Sequence, residues 1–112
     1  MDKTTIRRGT IVLCEMPKNE NSCVQGNTRP AVVLSNDTAN TYSSVLSIVP
    51  LTGAHKKPLP VHTVVESTIR RSIALAEQLT VIDRSRIIKI LGEVSENELR
   101  RIELAVRVQL AM

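Results

Sequence analysis

Short apolar runs separated by polar stretches fill most of the chain, and a helical pattern takes over only at its end. Arg8-Gly9 precedes TIVLCEM, a β-rich run that predicts a first strand. Residues 17–28 form a long polar loop rich in Asn, with Pro, Ser and Gly. AVVLS predicts a second strand, NDTANTYSS a turn or short connection, and VLSIVPL a third strand. Pro50, near the end of that third run, predicts an edge or a bulge, because proline has no N–H to give a ladder. TGAHKKPLP is a second loop, basic and proline-rich, and VHTVVE alternates as a fourth strand. SIALAEQLTVI reads as a fifth strand, with a helix as the alternative because Ala, Leu, Glu and Gln favour one. DRSRI predicts a single helical turn with Asp83 as N-cap, and IIKILGEV is β-rich again.

The final element carries the clearest local signal. Ser95 and Glu98 have the S-x-x-E spacing of a capping box, and ELRRIELAVRVQLAM continues as a helix. Leu99, Ile102, Val106 and Leu110 follow one helical face, while Leu104, Ala105 and Val108 fall on another. A surface helix needs one apolar stripe, so the second predicts a partner, most simply a second copy of the chain. Short strands followed by one long helix predict an α+β domain built on a small curled sheet. No internal repeat or linker breaks the chain, and its 112 residues suit a single domain, 1–112.

Composition narrows the chemistry more than it identifies it. The chain is 42% hydrophobic, nearly all aliphatic, with Tyr42 as its one aromatic residue. Such a chain lacks the stacking rings that a sequence-tolerant single-strand binder offers. A net charge of +4 is compatible with a polyanionic partner without requiring one. Cys14 and Cys23 make neither a secreted disulfide scaffold nor a metal set. His55 and His62 lie in or near one loop with no acidic or cysteine cluster at ligand spacing, so they read as exposed loop histidines. No phosphate-binding glycine loop or nucleophile elbow occurs, and no cofactor is implied. No stretch approaches a membrane-spanning length, which predicts a cytoplasmic protein. What remains is Arg29 at a strand start and Thr52 at a strand end, each beside a polar loop. A guanidinium fork suits a phosphate, and a hydroxyl can donate to a phosphate oxygen. Spacing alone leaves this pair open to an ordinary structural reading.

Several segments together resemble the MazF/PemK (Kid) family of bacterial toxin ribonucleases. RRGTIVLCEM is similar to the family's opening strand, and QGNTRPAVVLSND to its Q-x-G-x-R-P-hydrophobic signature. VLSIVPLT resembles the strand ending in the family's Ser/Thr, and LPVHTVV, ALAEQLTVIDRSRI and the closing helix follow in the family's order. The resemblance implies a small, strongly bent antiparallel sheet, an SH3-like barrel with short helices and a C-terminal helix, assembled as a homodimer. It implies sequence-specific cleavage of single-stranded RNA in the bacterial cytoplasm, without metal or cofactor. It also implies a MazE-like antitoxin, through which alone the toxin meets DNA. Arg29 and Thr52 match the family's signature arginine and threonine, and Gln25 its loop glutamine. Asn21, Asn27, Thr28, His55, Lys56 and Lys57 belong to the loops expected to border the RNA. An Asp–Arg–His set used by some members has no full counterpart: Leu75 replaces its arginine, Cys23 stands where its histidine falls, and Glu77 is the nearby carboxylate. Glu77 reads either as a catalytic or substrate-binding group or as a solvated or ion-paired strand residue.

In the implied reaction the ribose 2′-OH attacks the adjacent phosphorus, leaving a 2′,3′-cyclic phosphate and a 5′-hydroxyl. Arg29 suits the stabilisation of the added negative charge. It does not suit the role of general base, since a guanidinium keeps its proton at reachable pH. Two other classes fit the same fold expectation: a gyrase-poisoning toxin that cuts nothing, and a non-catalytic module that only binds an antitoxin. The first relies on a terminal Trp and Gly that VQLAM lacks.

Overall fold

The computed structural model describes residues 5–16, 27–53, 57, 59–68 and 70–112. The strands are β1 (Thr10–Met16), β2 (Asn27–Val33), β3 (Val45–Thr52), β4 (His62–Val65), β5 (Ser72–Leu75), β6 (Thr80–Asp83) and β7 (Ile87–Glu93). Two helices, α1 (Asp37–Tyr42) and α2 (Glu96–Leu110), and 3₁₀ turns at Ala76–Gln78 and Arg84–Arg86 complete the described elements. All strand pairs are antiparallel, in the order β4-β5-β3-β2-β1-β7, with β6 paired to β3. The sheet is therefore open: among the described residues no pairing joins β7 back to the far end, and the expected barrel is a mostly antiparallel sheet that does not close.

The sheet buries apolar residues on both faces, following the two-residue period of strands. One cluster gathers Ile11, Val32, Val49, Leu51, Val65 and Ala74 against Ile102 of α2. The other gathers Val12, Cys14, Met16, Ala31, Val33, Leu46, Ile48 and Ile82. α2 therefore covers one face, and on the other Ile6, Ile87 and Ile90 pack against the second cluster.

Several boundaries differ from those the sequence predicts, each for a local reason. β2 begins at Asn27, so Arg29 and Pro30 lie inside the strand. The ladder from β1 extends to Met16↔Asn27, whereas β3 covers β2 only over Ala31–Val33, so Pro30 has a ladder neighbour on one side. Pro50 sits in a central strand, not at an edge. It falls where β3 changes partner, after β6 has paired Val45–Ile48 and before β5 pairs Leu51–Thr52, so its missing N–H costs no ladder bond on that side. The long fifth run is two strands separated by the 3₁₀ turn. NDTANTYSS contains a helical turn and a half, started by Asn36, whose side chain accepts the Ala39 N–H at 2.8 Å. Asp83 caps its 3₁₀ turn by accepting the Ser85 N–H at 3.0 Å, as its sequence predicts.

The capping box of α2 forms in both directions, Ser95 Oγ accepting from the Glu98 N–H and Glu98 accepting from the Ser95 N–H. Glu98 also accepts the Glu66 N–H at 2.7 Å and the Ser67 hydroxyl, so one buried carboxylate ties α2 to the β4–β5 connection. Burial pushes the Glu98 carboxyl up, but the donors from Ser67, Ser95 and Glu66 together outweigh it and hold it below its ordinary value. The helix faces divide differently from the predicted stripes: Ala105 is buried, as is Ile102, and Leu110 is exposed. Leu104 and Val108, 60% and 56% exposed, remain as an apolar pair on the outer face.

Candidate active site

Arg29 and Thr52 lie on the neighbouring strands β2 and β3. Their ladder runs Val33↔Ile48, Val32↔Val49, Ala31↔Pro50. The ladder ends at Ala31↔Pro50; Arg29 lies two residues before its end on β2 and Thr52 two residues past it on β3, where β3 has turned to β5. Alternation puts both on one face. Arg29 follows Ala31 and Val33, Thr52 follows Leu46 and Ile48, and those four belong to a single core cluster. On its other side Arg29 pairs with Cys14, whose thiol lies 3.5 Å from the Arg29 carbonyl oxygen. Arg29 is half-buried, whereas Thr52 is 2% exposed. The arginine is therefore the more accessible of the two.

Burial in hydrocarbon sets the chemistry of the cysteine. Cys14 is wholly buried among aliphatic residues, and desolvation pushes its thiol up to about 11. It stays protonated there and packs as a small hydrophobe.

Beyond Arg29, the outer end of the β1–β2 pair opens into a recess of about 240 Å³ lined by Glu15, Met16, Asn27, Thr28 and Arg86. Asn27 enters β2 with φ 63°, a left-handed conformation that Asn tolerates better than most residues. Arg86 joins the recess from the 3₁₀ turn between β6 and β7, and sequence reasoning did not single it out. The signal available for it was a basic residue in a turn whose cap, Asp83, was already legible. Asn27 and Thr28 thus lie next to Arg29, while Asn21, Gln25, His55 and Lys56 lie outside the described residues. Lys57 is exposed in the connection between β3 and β4.

Glu77 lies in the 3₁₀ turn between β5 and β6, not in a strand. Its Oε2 is 2.8 Å from Nε2 of His62. The His62 side chain is 8% exposed and opens β4, so it is not the exposed loop histidine that its sequence context predicts. Its Nδ1 lies 3.1 Å from the Lys57 carbonyl oxygen. The register separates this pair from Thr52: Thr52 stands opposite Ile73 on β5, and His62 opposite Leu75, two residues on and one strand further out. Among the described residues, no group of three or more His, Cys, Asp or Glu side chains could hold a metal ion. No described helix is long and apolar enough to cross a membrane.

Comparison with known proteins agrees with this architecture. A curated relative, the endoribonuclease MazF of Staphylococcus saprophyticus, is 29% identical over 112 residues, covering 96% of this chain and 92% of its own. The crystal structure of MazF from Deinococcus radiodurans superposes with a TM-score of 0.82 at 24% identity, over 99% of this chain and all of that one. An endoribonuclease in complex with its cognate antitoxin, from a mycobacterial species, superposes at 0.80 with 19% identity, covering 95% of each chain. The family profile for the PemK-like, MazF-like toxin of type II toxin–antitoxin systems matches residues 7–110. The chain belongs to that toxin family.

Proposed function

We propose that this toxin is an endoribonuclease that cleaves single-stranded RNA through the Arg29–Thr52 pair, and that a cognate antitoxin restrains it. The reading is supported by a half-buried arginine and a buried threonine just beyond the same end of the β2–β3 ladder. Relatives of the same fold carry the name endoribonuclease, and one was solved with its cognate antitoxin. In this reading the 2′-OH of RNA attacks the neighbouring phosphorus, and the planar fork of Arg29 stabilises the charge that accumulates on the phosphoryl oxygens. Thr52 holds one phosphate oxygen in line. The recess with Asn27, Thr28 and Arg86 receives the adjoining nucleotide, and Gln25, Asn21, His55, Lys56 and Lys57 border the strand from the loops. Hydrogen bonding rather than stacking reads the bases, since Tyr42 is the one aromatic residue of the chain. The toxin works as a single-domain homodimer in the cytoplasm.

The test is cleavage of an end-labelled single-stranded RNA by the purified protein in EDTA. The reading predicts discrete cuts with 2′,3′-cyclic phosphate and 5′-hydroxyl ends. Cleavage lost in EDTA and restored by magnesium would contradict it.

A further inference from the structure

We infer that His62 and Glu77 are a positioning pair that fixes where Lys57 meets RNA, an inference that rests on the ribonuclease reading above. The ring is 8% exposed, and both of its nitrogens are occupied by acceptors. Nδ1 lies 3.1 Å from the Lys57 carbonyl oxygen, and Nε2 2.8 Å from Oε2 of Glu77. One side chain thereby joins three segments: the connection that follows Thr52, the first residue of β4 and the 3₁₀ turn after β5.

A histidine beside a carboxylate also has the form of a general-base dyad, and the geometry decides against that role here. A base needs one nitrogen open toward the proton it removes. Neither nitrogen of His62 is open, and the ring is nearly out of solvent. β5 lies between β3 and β4, which puts the His62 backbone on the order of 10 Å to the side of β3 at the usual strand spacing. His62 is therefore set one strand away from Thr52, while the turn that carries Glu77 packs against β3. What the pair holds is the backbone of Lys57, an exposed cation in the connection that starts at Thr52. A lysine on a fixed backbone meets a phosphate with less ordering left to do, so the gain belongs to RNA binding and not to the chemical step.

The experiment measures KM and the single-turnover rate at saturating RNA for His62→Ala, Glu77→Ala, Glu77→Gln, Lys57→Ala and the double variant His62→Ala/Lys57→Ala. His62→Ala, Glu77→Ala and Lys57→Ala should each raise KM by about tenfold, the scale of one charge-assisted hydrogen bond, with the saturated rate little changed. The double variant should be no worse than the worse single one, because both changes remove the same contact. Glu77→Gln keeps an oxygen for Nε2–H and should recover most of the affinity. A collapse of the saturated rate in Glu77→Ala, with His62→Ala unaffected, would overturn the inference and make Glu77 a catalytic residue. Additive KM effects of His62→Ala and Lys57→Ala would overturn it too. NMR of the imidazole supplies an arm independent of cleavage: the His62 ring signals should move in Glu77→Ala and stay in place in Lys57→Ala, which keeps the backbone carbonyl. Ring signals that Glu77→Ala leaves unmoved would refute the geometry even if the native protein cleaves RNA. Native protein whose ring signals respond to Glu77→Ala but that does not cleave RNA would instead refute the ribonuclease reading.

Discussion

Arg29 on β2 and Thr52 on β3 each lie two residues beyond the Ala31↔Pro50 end of one antiparallel ladder, and strand alternation assigns them the same face of the sheet. The relationship is fixed by the aliphatic pairs behind it, Ala31↔Pro50 and Val33↔Ile48, which are fully or almost fully buried. It divides the roles of the two residues. A neutral hydroxyl at 2% exposure contributes less than a charged fork, so Thr52→Ala should slow cleavage by less than Arg29→Ala. Thr52→Ser keeps the hydroxyl and should be nearly silent. Single-turnover rates for the three variants check the order, and a Thr52→Ser loss as large as that of Thr52→Ala would assign the role to the methyl packing.

Glu98 gives the fold an acid-sensitive joint. Its carboxyl is held below the ordinary 4.5 by the donors from Ser67, Ser95 and Glu66, despite burial. A carboxyl lowered in the folded state contributes stability that is fully present above its unfolded pKa and is lost as pH falls through the lower folded value. Stability should thus decline as pH drops below about 4.5. Glu98→Gln removes that titration, so the melting temperature of the variant should depend less on pH in the acid range. Parallel melting curves for the native protein and the variant at acid and neutral pH measure the difference.

Cys14 should be chemically silent in the folded protein. Burial raises its thiol to about 11, and alkylation requires the thiolate. Iodoacetamide should label the Cys14 peptide only at the rate at which the protein unfolds, with rapid labelling in denaturant. Mass spectrometry of the digested protein reads this directly, and fast labelling under native conditions would show that β1 opens on its own.

The outer pair Leu104 and Val108 on α2 is the apolar surface expected to join two copies. Val108→Asp places a charge on an exposed position, so it should leave the monomer fold intact and shift light scattering from dimer to monomer at micromolar concentration. Unchanged dimer mass in the variant would move the interface to another face.

The parts of this architecture that were legible in the sequence are those set by short-range chemistry. The Ser95–Glu98 box, the Asp83 cap and the strand runs with aliphatic cores were each readable from neighbours a few residues apart. The placement of the prolines was not, because the sequence does not say which strand lies beside Pro50 or where its partner changes. The same limit hid the true setting of His62, whose partners Glu77 and Lys57 are assembled by the β4–β5 pairing and the turn after it. The burial of Ala105 and the exposure of Leu110 were not legible, because helical spacing gives the angle between residues, not which angle meets the sheet. For the candidate site, Arg29 and Thr52 were legible as types at strand ends, while their placement just beyond one end of the β2–β3 ladder needed the pairing itself. Arg86 is a turn residue whose approach to Asn27 and Thr28 depends on how β6 leads into β7.

The most direct test of the account is the single-turnover cleavage rate of Arg29→Lys at saturating RNA. Lysine keeps the positive charge and loses the planar fork. If Arg29 stabilises the charge that builds on the phosphate in the transition state, the rate should fall by roughly 10²-fold or more, the scale for losing one preorganised donor. Binding of an uncleavable 2′-deoxy analogue should change far less, because the contact is strongest only after attack. A variant that cuts RNA at close to the native rate would contradict the assignment of Arg29 to the chemical step.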